Sequence, residues 1–375
     1  MTNDRSIVIS TAPSRKSLNW QPATMLLSEL YQRLRTPLRG TESMAEYLAM
    51  RKSDQDIRKD VGGFVGGNLT GRRKKLNVKG RDLLTLDLDN LPPGAAEEVH
   101  RRCSGLSAGY CIYSTRKHSP DAPRLRVVYP TDRTLQPEEY EPVCRMLAKL
   151  IQPEMTWFDP TTFQLERLMY WPNCCADGEY IFWAEDKPLL SVDGMLKLYA
   201  DWRDVSRWPV VPGEAKIRDR SAKKQGDPVE KTGVVGAFCR VYDVPAAMEK
   251  FLPGVYLETD IPGRYTYAEG STAGGAVIYD DGKFLYSHHS TDPCSGALVN
   301  AFDLVRLHKF SAQDDDAKED TPTNRLPSYD LMCRLALSDP EVSGKLQEER
   351  FAQATAEFAE ISQQTQQPAG TDTPA

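Results

Sequence analysis

The sequence predicts an α+β protein with α/β-like character: a mixed sheet flanked by helices, then a small C-terminal α+β unit. Three observations predict it. The runs LLTLDLD (83–89), GYCIYST (109–115) and RLRVVYP (124–130) are short, apolar and β-compatible. Segments with helical spacing accompany them, above all PEEYEPVCRMLAKLI (137–151) after the third run, with acids in its first turn and a cation near its end. Composition then shifts to charge, Gly and Pro over residues 209–232, which reads as a linker.

In chain order, residues 1–20 read as an N-terminal tail, and 21–208 as one domain. Within it, Pro22 to Leu34 and Thr41 to Met50 have helical spacing, and GGFVGGNLTG (62–71) reads as a flexible loop. A basic run with Arg72, Arg73, Lys74 and Lys75 follows, then the LLTLDLD strand and a helix over PPGAAEEVHRRC (92–103). RLMYWP (167–172) and EYIFWAE (179–185) are short strand candidates, and SVDGMLKLYADWRDV (191–205) is a helix capped by Ser191. Residues 233–340 form a small accessory domain: helical over 233–252, with strands at RYTYA (264–268), GGAVIYDD (274–281) and KFLYSHH (283–289). Two helices close it, one capped by Asn300 and one over 327–337. Residues 341–375 read as a C-terminal helix and a disordered tail beginning near Ser362.

Composition excludes several classes. No apolar run approaches the roughly 18 residues of a membrane span, and the N-terminal stretch lacks the apolar core of a secretory signal, so a cytoplasmic protein is expected. Eight dispersed cysteines without a CxxC pair read as reduced thiols. The net charge of −6 gives no global attraction to nucleic acid, yet the stretch Val61 to Arg81 is basic without a single acid. GGFVGGNLTGRRKK lacks the GK[ST] of a P-loop, and no Walker motif occurs elsewhere.

Asp87 and Asp89 stand at i and i+2 of a strand, so their carboxylates share one face. Adjacent carboxylates repel unless a cation lies between them, and hard divalent ions suit that oxygen environment. The competing reading is a strand end whose acids face water. The next segment gathers Ser114, Thr115, Arg116, Lys117, His118, Arg124 and Arg126 at a strand-loop-strand junction. Such donors suit a triphosphate, although a solvated basic hairpin has the same composition. Asp159, before Pro160, adds a third acid ahead of an Arg-bearing strand.

In this order the three segments resemble the archaeo-eukaryotic primase (AEP) superfamily, in particular primase-polymerases of phages and other mobile elements. LTLDLD matches the family's DxD motif and FDPTTFQLERLMYWPN its third motif region. The second motif departs from SxH, because Ser114 and His118 are four apart; Ser114, Thr115 and Arg116 stay open as the partner of His118. The resemblance covers residues 20–205. It implies an AEP-type core in which Asp87, Asp89 and Asp159 hold two Mg²⁺ or Mn²⁺ ions. It further implies that His118, Ser114, Lys117, Arg124 and Arg126 bind the incoming nucleoside triphosphate. Arg72, Arg73, Lys74 and Lys75 would then guide a single-stranded DNA template. The expected function is that of a phage-type DNA primase-polymerase making primers for replication, with any replicative helicase on another chain or a further segment. A metal-dependent nuclease and a non-catalytic replication initiator are the alternatives.

His288, His289, Asp292 and Cys294 cluster in the second half, where they look like a zinc-ribbon primase module that has lost its metal. Their spacing lacks the paired ligands of structural zinc sites, which argues against zinc.

Overall fold

The computed structural model describes residues 1–318 and 321–365. The chain begins with a hairpin. β1 (Ser6–Ala12) and β2 (Gln21–Leu26) pair antiparallel from Ser6 opposite Leu26 to Thr11 opposite Gln21, and α1 (Leu27–Arg35) follows directly. The expected tail is therefore a strand: Ile7 and Ile9 are fully buried, packed with Leu27, Leu30 and Phe64. Likewise, the helix expected from Pro22 starts only at Leu27, because pairing with β1 overrides the helical spacing of the preceding residues. β3 (Leu38–Arg39), α2 (Met44–Ala49), α3 (Lys52–Lys59), β4 (Gly63–Val65) and β5 (Gly67–Leu69) come next. The glycine-rich stretch read as a flexible loop is thus two strands. Its glycines serve close backbone approach: a Cβ on Gly63 would lie 2.3 Å from the Met169 carbonyl, and one on Gly67 2.1 Å from the Gly80 carbonyl.

β6 (Val78–Leu88), α4 (Ala96–Ser104), β7 (Tyr110–Ser114), β8 (Leu125–Leu135) and α5 (Pro137–Ile151) occupy the places the sequence assigns them. β9 (Met169–Tyr170), β10 (Asn173–Cys174) and β11 (Phe182–Glu185) are short, and the expected helix after Ser191 shrinks to α6 (Val192–Leu196). The main sheet has the order β11-β7-β8-β6-β5, and a second sheet has the order β2-β1-β4-β9. In β6, Leu84, Leu86 and Leu88 enter a core that includes Val143 and Leu147 of α5; Leu83 enters the core beneath α1 instead. This alternation is the period-two consequence of a strand buried on both faces.

The stretch read as a linker carries α7 (Gly213–Gln225), which buries no side chain but pairs Glu214 with the buried Arg145 of α5. Then follow α8 (Gly233–Val241), α9 (Val244–Phe251), β12 (Tyr256–Glu258), β13 (Arg264–Tyr267), β14 (Ala276–Tyr279), β15 (Phe284–Ser287), β16 (Leu298–Val299), α10 (Ala301–Phe310), α11 (Pro327–Ser338) and α12 (Pro340–Thr365). Asp243 splits the expected helix over 233–252 by capping α9, its side chain accepting from the Ala246 amide at 2.9 Å. Asn300 caps α10 in the same way, accepting from the Asp303 amide at 2.9 Å. The region expected as a disordered tail is still helical through Thr365; residues 366–375 lie outside the described residues.

Two compact units result. The first comprises Met1–Ser221, Tyr256–Val277 and Ser287–Ala297; the second comprises Ala222–Val255, Ile278–Tyr286 and the chain from Leu298 onward. The architecture is mixed α+β, with sheets flanked by helices. No helix among the described residues is long and apolar enough to cross a membrane.

Candidate active site

The β6–β8 register builds the site, in the first unit. It sets Asp87 opposite Arg126 and Leu88 opposite Leu125, while β7 sets Tyr113 opposite Arg126 from the other side. Arg126 is therefore held on an interior strand, 4% exposed, with Nε 3.4 Å from Asp87 Oδ1 and Nη1 donating to the Tyr170 carbonyl at 3.1 Å. Asp89 lies just beyond the end of β6 and pairs with Arg124 at 3.1 Å. Asp159 opens a 3₁₀ turn (Pro160–Phe163) whose Thr161 amide and hydroxyl both donate to its Oδ1 at 2.8 Å. Two further bonds fasten this turn to β6: the Asp159 amide donates to the Asp87 carbonyl at 2.9 Å, and the Asp87 amide donates to the Thr162 hydroxyl at 2.8 Å. Carboxylates 72 positions apart (87 and 159) are thereby brought together by backbone. Arg167 joins them, its Nη2 lying 3.1 Å from Asp87 Oδ2 and 2.8 Å from Asp159 Oδ2.

These groups line one cleft of about 390 Å³. Its lining among the described residues carries nine basic side chains and three carboxylates, Asp87, Asp89 and Asp159. Thr115, Arg116, Lys117 and Arg124 come from the loop between β7 and β8, and Lys52 and Lys59 from α3. Electrostatics separate the two DxD acids. Burial alone raises the Asp87 carboxyl, yet Arg126, Arg167 and Lys59 hold it below the usual value. Asp89 is pushed up, first by burial and then by the neighbouring Asp87 charge. Burial, with Arg126 nearby, brings the Lys59 amine down to about 8.

Three hard-oxygen carboxylates fit Mg²⁺ or Mn²⁺ by donor chemistry, and Asp87 Oδ1 is a buried oxygen that accepts no hydrogen bond among the described residues. The three are not gathered within 4.8 Å of one another, and Arg167 stands between two of them.

Residues 1–211, more than half of the chain, match the VapE N-terminal domain family. The chain belongs to that family. Among solved structures, the AEP domain of the cyanophage S-2L primase-polymerase (PrimPol) is similar at 13% identity, covering 51% of this chain and 88% of that one with a TM-score of 0.30. Nothing among the curated proteins matches.

Within this VapE N-terminal domain the expected site residues divide. Asp87, Asp89, Asp159, Lys117, Arg124, Arg126 and Arg73 all line the cleft. Ser114 and His118 are not among its lining residues. Ser114 is 1% exposed, and its hydroxyl accepts from the Ile181 amide at 2.9 Å, which holds the segment leading into β11. His118 is 2% exposed; its Nδ1 accepts from the Arg124 amide at 3.1 Å, which assigns the ring proton to Nε2. Burial pushes its pKa down, favouring the neutral ring, and its bond toward the cleft-lining residues is the one to the Arg124 amide. Arg72, Lys74 and Lys75 are likewise not among the lining residues, and the Lys75 ammonium donates to the Ser295 hydroxyl at 2.5 Å.

The sequence reading missed Arg167, Lys59 and the buried pair of Arg116 with Glu42. Arg167 had a visible signal, since it stands between Asp159 and the strand of the third segment. Glu42 and Lys59 had none, because only the tertiary fold brings them to the β7–β8 loop and the cleft. In the histidine-rich turn, His289 Nε2 accepts from the Tyr267 and Gly275 amides at 3.1 and 3.2 Å, and Asp292 accepts from the Tyr256 hydroxyl at 2.8 Å.

Proposed function

We propose that this chain is a primase-polymerase that transfers nucleotides from nucleoside triphosphates onto a strand paired with a single-stranded DNA template. One observation carries the reading: Asp87 of β6, Asp89 just beyond it and Asp159 line one open cleft together with the cation-rich β7–β8 loop. A triphosphate needs cations on one side and a carboxylate-held metal site on the other, and a cleft of this size admits a nucleotide. In this reading Asp87, Asp89 and Asp159 hold two divalent ions, which when bound supply charge neutralisation at the α-phosphoryl group. Arg124 and Lys117 bind and orient the phosphates, and His118 positions Arg124 by accepting its amide proton. Arg116 keeps a buried Nε with no hydrogen bond among the described residues, donor capacity suited to an anion. Arg73, with Arg72 and Lys74, steers the template backbone without reading sequence.

A second reading has an observation of its own. All three carboxylates are already ion-paired with arginines, as expected of a cleft that binds phosphates without catalysis, in a replication initiator. Incubation of the purified chain with primed and unprimed single-stranded templates, labelled ribo- and deoxynucleotides and Mn²⁺ separates the two. Template-dependent incorporation that disappears in Asp89→Asn supports the polymerase. Tight binding of template and nucleotide without any incorporation, under Mn²⁺ and Mg²⁺ alike, supports the initiator.

A further inference from the structure

We infer that the Arg167 guanidinium competes with divalent metal for the carboxylates of Asp87 and Asp159, so that metal enters only as Arg167 leaves. The inference rests on the metal-site reading proposed above. Arg167 Nη2 is within 3.1 Å of Asp87 Oδ2 and 2.8 Å of Asp159 Oδ2, which is the position a shared cation would take. Nearby charges then sum to zero: Asp87, Asp89 and Asp159 face Arg124, Arg126 and Arg167. Such a cluster exerts no net pull on a divalent ion, and Lys59 adds a further positive charge on the same wall.

Of the two arginines on Asp87, only Arg167 is built to move. Arg126 belongs to β8, has a side chain 5% exposed, and is tied to the Tyr170 carbonyl. Arg167 sits outside any strand or helix, with its side chain 24% exposed. Its departure frees Asp87 Oδ2 and Asp159 Oδ2 together and removes one positive charge from directly beside them. A triphosphate in the same cleft offers the displaced guanidinium a bidentate partner.

Direct Mn²⁺ binding tests this, read by electron paramagnetic resonance on the full chain without nucleotide. Arg167→Gln keeps a polar side chain and removes the charge, and circular dichroism checks that it is folded. It should bind Mn²⁺ about tenfold more tightly than the unaltered chain, the scale of a typical coupling between competing ligands. Arg167→Lys, which keeps a cation, should fall between them. Equal Mn²⁺ affinity in the folded Arg167→Gln variant and the unaltered chain overturns the competition. Asp87→Asn in the Arg167→Gln background should abolish the gain. If instead it binds Mn²⁺ as tightly as Arg167→Gln alone, the metal does not sit at Asp87, and the underlying site reading fails with the inference.

Discussion

Replacing Asp87 and Asp89 singly by asparagine should have the same effect on chemistry and different effects on stability. Asp87 is 4% exposed and faces Arg126, also 4% exposed, with Arg167 on its other oxygen. Asparagine keeps the shape and one oxygen but leaves the Arg126 charge buried without a counter-charge. Breaking a buried pair in this way costs about 3–5 kcal/mol, and the retained oxygen places this case near 3 kcal/mol. Asp89 is different, because its side chain is 33% exposed and its partner Arg124 is 35% exposed, a pair worth under about 1 kcal/mol. Its removal also relieves burial of a charge and repulsion with Asp87, which together push the Asp89 carboxyl up. The two contributions oppose, so Asp89→Asn should stay within about 0.5 kcal/mol of the unaltered chain. Urea unfolding followed by tryptophan fluorescence and circular dichroism reads both values. Adding Arg126→Met to Asp87→Asn should recover part of the loss, since it removes the orphaned charge. Equal stability of the two single variants would refute the reasoning, because burial and pairing would then not set the cost.

Three further outcomes follow from the site. Nucleotide incorporation in the Mn²⁺ template assay should fall below detection in Asp89→Asn and Asp159→Asn while both remain folded by circular dichroism; retained activity in either removes that acid from the site. His289 is fully buried and its pKa is brought down from 6.5 to about 4 by burial. A His whose folded pKa is depressed contributes stability that is present above 6.5 and lost as pH falls toward 4, about 3 kcal/mol over that window; His289→Gln should flatten the stability profile there, and an unchanged slope counts against it. For single-stranded DNA, Arg73→Gln should reduce the slope of log affinity against log salt by about 0.7, one phosphate contact. Lys75→Gln, whose ammonium is engaged with Ser295, should leave that slope nearly unchanged, and the reverse pattern would relocate the template path.

The elements that were legible in the sequence are those whose residues carry their own periodicity. α5 matches PEEYEPVCRMLAKLI end to end because Pro137, the first-turn acids and the apolar stripe all agree. LLTLDLD, GYCIYST and RLRVVYP fall on β6, β7 and β8 for the same reason. The misreadings arise where partners decide. SIVISTA became a strand by pairing with β2, and the glycines of β4 and β5 are dictated by neighbouring carbonyls that a linear reading does not see. At the site, the placement of Asp87 with Asp89 and of Arg124 with Arg126 on one cleft was legible because i, i+2 spacing fixes side-chain direction, while that of Asp159 rested on the order of the segments. The place of His118 was not: its chemistry suggested a phosphate ligand, whereas the fold turns Nδ1 inward to an amide.

The pairing of β6 with β8 has a consequence for errors in folding. Directly opposed residues of antiparallel strands share a face, so a slip of one position would set Asp87 beside Leu125 or Val127 and drive a carboxylate into the core those two residues occupy. Arg126 would lose its counter-charge in the same event. The parity of one ladder therefore ties the charge pair to the apolar core: a slipped register is penalised by buried charge, and the register that keeps Leu125 and Val127 in the core also holds Asp87 opposite Arg126.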